Sequence, residues 1–457
     1  MKSVYPMTLL SVKQKYNMQL MPARAPRATA RLDAPRPALE CLWRASATPA
    51  PVLPSLAGPI EAEVAIIGAG ITGLATAVGL GERGVATVVL EAGEPGSGAS
   101  GASGGQVIAG LRHRIEELAG VYGAEKAREL YGFGAQAADC CFELIGRFDI
   151  PCEATRSGWI QLADTEEGLA EAARRVAAWR AAGADVRRLE GREAEQLTGA
   201  AGYRGGWLDS RGGTVQPLSY TRGLARTAAM LGARVFVRTP ALAIERRGAS
   251  WRLATPEGSV TARKLLIATN ALTGALWPGL ERMVLPVWSF QLATAPLTGA
   301  LRDRILPGRH AASDTRRVLR YFRVDGAHRL VVGGKGTLHA PRRPRDFAFQ
   351  RATLERLFPT LGDMPTEHVW GGQVAITRDR LPRLVRVGPE ALASFGCNGK
   401  GIAWCTAMGG ALARLFGEGR PTPLPITPIE PIPLYGLSRL YRAAGGAWYR
   451  WRDLVSS

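Results

Sequence analysis

The stretch Glu63-Val64-Ala65-Ile66-Ile67-Gly68-Ala69-Gly70-Ile71-Thr72-Gly73 decides the fold. An apolar strand pattern runs directly into G-x-G-x-x-G, and a helical pattern follows. Residues 64–81 carry no charge, so length alone would suggest a membrane span. Their five glycines, two threonines and change of period from strand to helix instead read as a buried strand and helix. Gly68 permits the tight turn, Gly70 lets the backbone approach a pyrophosphate, and Gly73 lets the helix pack closely on the strand. The N–H groups at the helix start, from Ile71 and Thr72 onward, face the anion. A second strand pattern at 86–90 ends in Glu91, where an acceptor for the adenosine ribose hydroxyls belongs. A glycine triplet alone could be a tight turn beside an incidental surface Glu. Strand, triplet, helix, strand and terminal carboxylate together indicate a dinucleotide site.

NAD and FAD sites share this fingerprint, so the choice falls to residues 96–106. There the sequence is Gly-Ser-Gly-Ala-Ser-Gly-Ala-Ser-Gly-Gly-Gln, nearly all small residues. Such a stretch suits backbone running against a large planar ligand, and it also suits a flexible linker. Ala99, Ser100, Gly104, Gly105 and Gln106 are the candidate contacts.

With these residues in place the chain resembles the flavin-dependent amine and amino-acid oxidoreductases of the D-amino-acid oxidase superfamily. The resemblance is greatest to the branch of gamma-glutamylputrescine oxidase and glycine oxidase-like enzymes, and it runs from about residue 42 to residue 453. Its landmarks are residues 66–74 (IIGAGITGL), 89–106, 265–271 (LLIATNA), 285–294 (LPVWSFQLAT), 320–323 (RYFR), 371–382 (GGQVAITRDRLP) and 395–403 (FGCNGKGIA). The resemblance implies an α/β fold in which a Rossmann-like FAD domain is interleaved with an α+β, mixed-sheet substrate domain. It assigns 61–110, 205–280 and 366–420 to the FAD domain, and 111–204 and 281–365 to the substrate domain. Residues 1–60 are then a partly disordered arm, with order beginning at Glu61, and 421–457 a proline-rich tail. Further cofactor contacts are implied at Ala241, Ala268, Thr269, Asn270, Gly372, Gly396, Gly399, Gly401 and Ile402.

The implied reaction is hydride removal from the carbon bearing an amine, followed by hydrolysis of the imine, with oxygen or a carrier as electron acceptor. A helix N-terminus at Gly401 would stabilise negative charge on the reduced ring, and Lys400 is the neighbouring cation. Tyr321 and Arg323 alternate on one strand and so face one way, where they could hold a substrate carboxylate, with Gln291 beside them. The same pattern also fits a core Tyr and a surface Arg on a sheet. Members that tether their flavin use a cysteine on the strand corresponding to 374–377. None stands there, so the FAD is expected to be dissociable. Two departures put the usual substrate of the branch in doubt: Asn398-Gly399-Lys400-Gly401 where relatives carry S-G-H-G, and Ala102-Ser103 where they carry Arg-Asn. They also leave open a non-catalytic FAD-binding scaffold.

The composition sets outer limits on these readings. The 457 residues are 46% hydrophobic and 21% charged, which excludes whole-chain disorder. Fifty-eight Lys and Arg against 39 Asp and Glu give a net charge of +19, so a polyanionic partner has to be considered. The excess is nearly all arginine, spread along the chain without a nucleic-acid module, and reads as a solvated basic surface; RNA association stays the alternative from another class. Six cysteines without C-x-x-C pairs, five histidines without metal spacing and no signal-peptide core point to a reducing cytoplasm and no bound metal. The aromatic, basic segment 434–451 could lie on an anionic membrane. In the family a similar tail packs on its own fold, and that is the expectation here.

Overall fold

The apolar run 64–67 sits at the centre of a parallel sheet, as its lack of charge requires. The computed structural model describes residues 40–438. Five parallel strands lie in the order Arg234–Phe236, Thr87–Leu90, Gly58–Ile67, Gly258–Ile267, Ala391–Phe395. Strand order therefore reverses at the contact between Gly58–Ile67 and Gly258–Ile267, the topological position at which doubly wound sheets bind ligands. Strands Arg383–Gly388 and Ile426–Thr427 extend one edge, and the hairpin Ala243–Arg247/Ser250–Ala254 branches from Gly258–Ile267. Helices Ile71–Gly81, Pro217–Met230 and Gly401–Glu418 bury Leu74, Val78, Leu224, Met408 and Leu412 in one core with Val64, Ile66 and Val89. The alternate residues Ala65, Ile67, Val88 and Leu90 pack into a second core.

A second, mixed sheet has eight strands in the order Thr366–Ile376, Leu285–Pro296, Arg329–Lys335, Arg320–Val324, Ala311–Asp314, Trp159–Ala163, Gly205–Asp209, Val186–Glu190. All its pairings are antiparallel except Ala311–Asp314 with Trp159–Ala163. Residues 205–209 and 366–376, grouped by sequence with the nucleotide-binding segments, thus hydrogen-bond into this sheet. At both places the chain leaves this sheet one element later than the motif boundaries suggest.

Two further differences from the sequence reading have clear physical causes. Order begins before Glu61: Leu42–Ser46 is a short helix and Trp43 is fully buried. The Trp43 indole N–H donates to Ser103 O (2.8 Å), the Gln216 amide donates to Trp43 O (2.9 Å), and the Thr48 N–H donates to Ser219 Oγ (2.9 Å). Helix Ala124–Arg147 was not read from the sequence, yet it buries Ala127, Leu130, Tyr131, Gly134, Ala138 and Cys141 at helical spacing. Residues 1–39 and most of the aromatic tail lie outside the described residues. Among the described residues no helix is long and apolar enough to cross a membrane.

Candidate active site

The central strands of the parallel sheet are buried at their C-terminal ends, and burial then drops. Thr87–Leu90 is fully buried and Glu91 half-buried; Ile267 is buried and Ala268, Thr269 and Asn270 are half-buried; Ala391–Phe395 is buried while Cys397, Asn398 and Lys400 are half-buried. Together with half-buried Gly68, Gly70 and Thr72, these residues line a trough along the strand ends.

The glycine turn forms the floor. Gly68 has φ +108° and Gly73 packs so closely that a Cβ there would lie 2.1 Å from Gly68 O. Both glycines are fixed by backbone geometry. Gly70 caps helix Ile71–Gly81 in an extended conformation, and the Ile71 N–H donates to Ser100 Oγ (3.1 Å). Thr72 and Gly73 add first-turn N–H groups, which have no acceptor within a helix. Glu91 accepts from the Ala69 N–H and the Gly93 N–H, both at 2.8 Å. Burial raises its pKa and those two hydrogen bonds oppose the rise. Its first task is therefore to hold the turn, and its remaining lone pairs are what a ribose could use. Residues 99–102 form one helical turn rather than a loose linker, with Gly372 passing directly over Ala102.

The opposite wall is built from two turns. Asn270 (φ +50°) accepts the Gly396 N–H on Oδ1 (3.0 Å), and the Thr269 and Thr273 hydroxyls are 2.8 Å apart. Asn398 Oδ1 accepts the Thr377 N–H (3.0 Å), and its amide donates to Gly396 O. Gly399 (φ +95°) has open space where a Cβ would be, while Gly401 begins the C-terminal helix and Ile402 is buried beneath it. Ala241 is half-buried against the second core, which includes Ile67 and Leu90 of the strand ends. A glycine-floored groove with free helix N–H groups and an open turn facing it fits a dinucleotide cofactor.

The substrate-side residues require correction. Arg323 is fully buried: Nη1 donates to Gly105 O (3.0 Å) and Val215 O (2.5 Å), and Nε to Val324 O (3.2 Å). Its guanidinium braces backbone and does not face a substrate. Tyr321 gives its hydroxyl to a 2.8 Å hydrogen bond with Ser289 Oγ, and its ring fills the space over Gly104 and Gly333. Gln291 is buried and donates from Nε2 to Ala102 O (2.8 Å). Gln106 donates to Ala312 O (2.9 Å) and Phe322 O (3.1 Å) of the second sheet. Gly104 and Gly105 are therefore small because Tyr321 and Arg323 press on them: Cβ atoms there would lie 2.6 Å and 2.3 Å from those side chains.

Lys400 stands apart from these. Its ammonium reaches from the helix start to Ala109 O (3.1 Å) and Leu111 O (3.4 Å), and lies 5.5 Å from the Trp159 ring centroid. It thus joins the C-terminal helix to the second sheet. Burial, then the neighbouring Arg175 charge, brings its pKa from 10.5 down to about 7. Between those values the unfolded chain binds more protons, so this group makes the unfolding free energy rise with pH, its contribution being lost as pH falls toward 7. Urea unfolding at pH 7 to 10 should show wild type gaining on Lys400→Met as pH rises; parallel curves would mean a solvent-like ammonium.

A small cavity beside Lys400 is lined by Arg112, Arg380, Cys397, Asn398 and Trp404 among others. Arg112, Arg380 and Cys397 were not singled out from the sequence. The residues 378–380 (Arg-Asp-Arg) gave the one signal, and Arg380 adopts φ +60°.

Comparison with known proteins adds to this geometry. Residues 63–415 match the family model described as DAO, FAD dependent oxidoreductase. A probable oxidoreductase, OrdL, of Rhizobium meliloti (strain 1021) is 32% identical over 410 residues, covering 88% of this chain and 95% of that protein. The gamma-glutamylputrescine oxidoreductase of Escherichia coli (strain K12) is 28% identical over 86% of this chain and 93% of its own length. In fold, glycine oxidase from Bacillus cereus superposes with a TM-score of 0.66 at 20% identity, over 79% of this chain and 96% of its own. L-amino acid deaminase from Proteus vulgaris gives 0.68 at 17% identity, over 82% of this chain and 98% of its own.

Proposed function

This chain belongs to the DAO family of FAD-dependent oxidoreductases, and on that footing we propose that it oxidises the carbon–nitrogen bond of a small amine or amino acid. What supports the reading most is the trough at the ends of the parallel strands, taken with relatives whose names give an amine or an amino acid as substrate. Bound FAD supplies the two-electron acceptor for the C–H bond next to nitrogen.

The chain's own residues do the rest. The turn Gly68–Gly73, with the N–H groups of Thr72 and Gly73, receives the diphosphate, and Glu91 receives the ribose while holding Ala69 in place. Ala268, Thr269, Asn270 and the turn at Gly396, Gly399 and Gly401 form the opposite wall. Gly372 and the one-turn helix at Ala99 and Ser100 close the trough from the side of the second sheet. The start of helix Gly401–Glu418 provides positive potential where negative charge develops, and Lys400 adds to it in its protonated form. Strand Thr366–Ile376 contains no cysteine, so it offers no thiol tether and the cofactor is held without one.

Anaerobic mixing of the FAD-loaded protein with a panel of primary and secondary amines and amino acids tests this directly. At least one member should bleach the flavin absorbance within seconds to minutes. Readmitting air or adding a quinone then distinguishes oxygen from a carrier as acceptor. A flavin that stays oxidised through the whole panel would remove the catalytic reading, and a protein that refuses FAD altogether would remove the site.

A further inference from the structure

Among the six cysteines, two meet in the wall of the trough. Cys397 precedes the C-terminal helix, and its Sγ lies 3.2 Å from where a Cβ on Gly401 would stand; Cys405 is one turn further along the same helix face, which brings the two thiols together. Cys397 also receives hydrogen bonds from the Gly399 N–H and the Asn270 side chain, whose Oδ1 is already engaged by Gly396. Cys405 contacts the hydroxyl of Thr72 in the first turn of the glycine-turn helix. The pair thus touches three elements of the cofactor trough, and both residues are half-buried. In the turn before the helix Gly396 and Gly399 both have positive φ, and Gly399 has no neighbour where a Cβ would stand.

We propose that Cys397 and Cys405 form a redox-active dithiol that a hydroperoxide converts to a disulfide within the cofactor trough. The Cys397 thiolate attacks the terminal oxygen of the peroxide. An S–O bond forms, the O–O bond breaks, the sulfur loses two electrons to the oxygens, and an alcohol or water leaves. Cys405 then attacks the sulfenic sulfur of Cys397. The S–S bond forms, the S–O bond breaks, and the hydroxide leaves as water with the proton of Cys405. The sulfurs must close to about 2.05 Å, which requires the turn at residues 396–399 to shift. Electrostatics supports the direction of attack. Hydrogen bonds from Cys405, Gly399 and Asn270 pull the Cys397 thiol below the ordinary cysteine range, while Cys405 is pushed well above it. Cys41, Cys140, Cys141 and Cys152 are all pushed up by burial, with Cys141 and Cys152 at about 12, which leaves them poor nucleophiles.

Trypsin cuts after Lys400 and so separates the two cysteines into peptides 387–400 and 401–414. After treatment of the full-length protein with stoichiometric hydrogen peroxide and alkylation, these peptides should run as one disulfide-linked species that dithiothreitol separates. Cys405→Ser should stop at a dimedone-reactive sulfenic acid on Cys397, and Cys397→Ser should leave Cys405 reduced. FAD-loaded protein should oxidise at least several-fold more slowly than FAD-stripped protein, because the ligand covers this wall. Full alkylation of both thiols after peroxide, or a disulfide formed first between other cysteines, would overturn the proposal. Equal rates with and without FAD would overturn the placement of the pair in the trough. The readout is peptide mass, so it stands apart from whether any amine is turned over.

Discussion

Gly73→Ala should yield protein that emerges from purification nearly colourless, with FAD affinity reduced about ten- to hundredfold. The added methyl would lie 2.1 Å from Gly68 O and 3.1 Å from the Ile66 side chain, and the nearer contact is backbone that cannot rotate away. Helix Ile71–Gly81 must then lift off the sheet. That overpacking costs about 1–3 kcal/mol and moves the N–H groups of Thr72 and Gly73 off the diphosphate position. Gly84→Ala, beyond the far end of the same helix, is the matched control. Its φ of +67° disfavours a side chain, but nothing obstructs a methyl there, so FAD retention should change far less. The ratio of flavin to protein absorbance and a fluorescence titration with FAD read both variants. Equal affinity in Gly73→Ala and wild type would show that the turn does not carry the cofactor.

Arg323→Ala should destabilise the protein by about 3–5 kcal/mol, through a cavity and unpartnered buried carbonyls. The guanidinium is fully buried, bonds the carbonyls of Gly105, Val215 and Val324, and lies 5.3 Å from the Trp43 ring centroid. Burial draws its pKa down to about 10 while Asp325 and Glu153 pull the other way, so a charge removed from here leaves a site built around it. Arg323→Lys should recover only part of the loss, because one ammonium cannot reproduce the fork that meets three carbonyls. Urea unfolding separates this from a role in substrate binding. A variant that unfolds at the wild-type midpoint but shows a raised KM would restore the carboxylate-binding role.

The glycine turn was legible because its requirements are local: each glycine answers to backbone within a few residues. Helix Glu166–Ala181 was legible for the same reason, since its periodicity is uninterrupted. Arg323 was misread because strand alternation tells which residues share a face, not what lies above that face. Here it is Gly105 and Val215, 218 and 108 residues earlier in the chain. Helix Ala124–Arg147 contains three glycines that weaken its helical pattern, and packing accounts for one of them: Gly134 admits the backbone of Gly110 and Leu111. The thiol pair was invisible for a similar cause. Spacing alone does not show that Cys397 and Cys405 converge, because a left-handed turn lies between them.

The packing of Trp43 bears on how the protein is made. A ribosome delivers residues 43–48 long before Gln216 and Ser219, which are 173 and 171 residues downstream of their respective partners. Until those appear, a large indole has no home, and Ser103, beside the one-turn helix, lacks its clamp. Trp370, whose ring centroid lies 5.5 Å from that of Trp43, arrives later still, so completion of the pocket is a late event in biosynthesis, and a nascent chain stalled before that strand emerges presents an aromatic handle to chaperones.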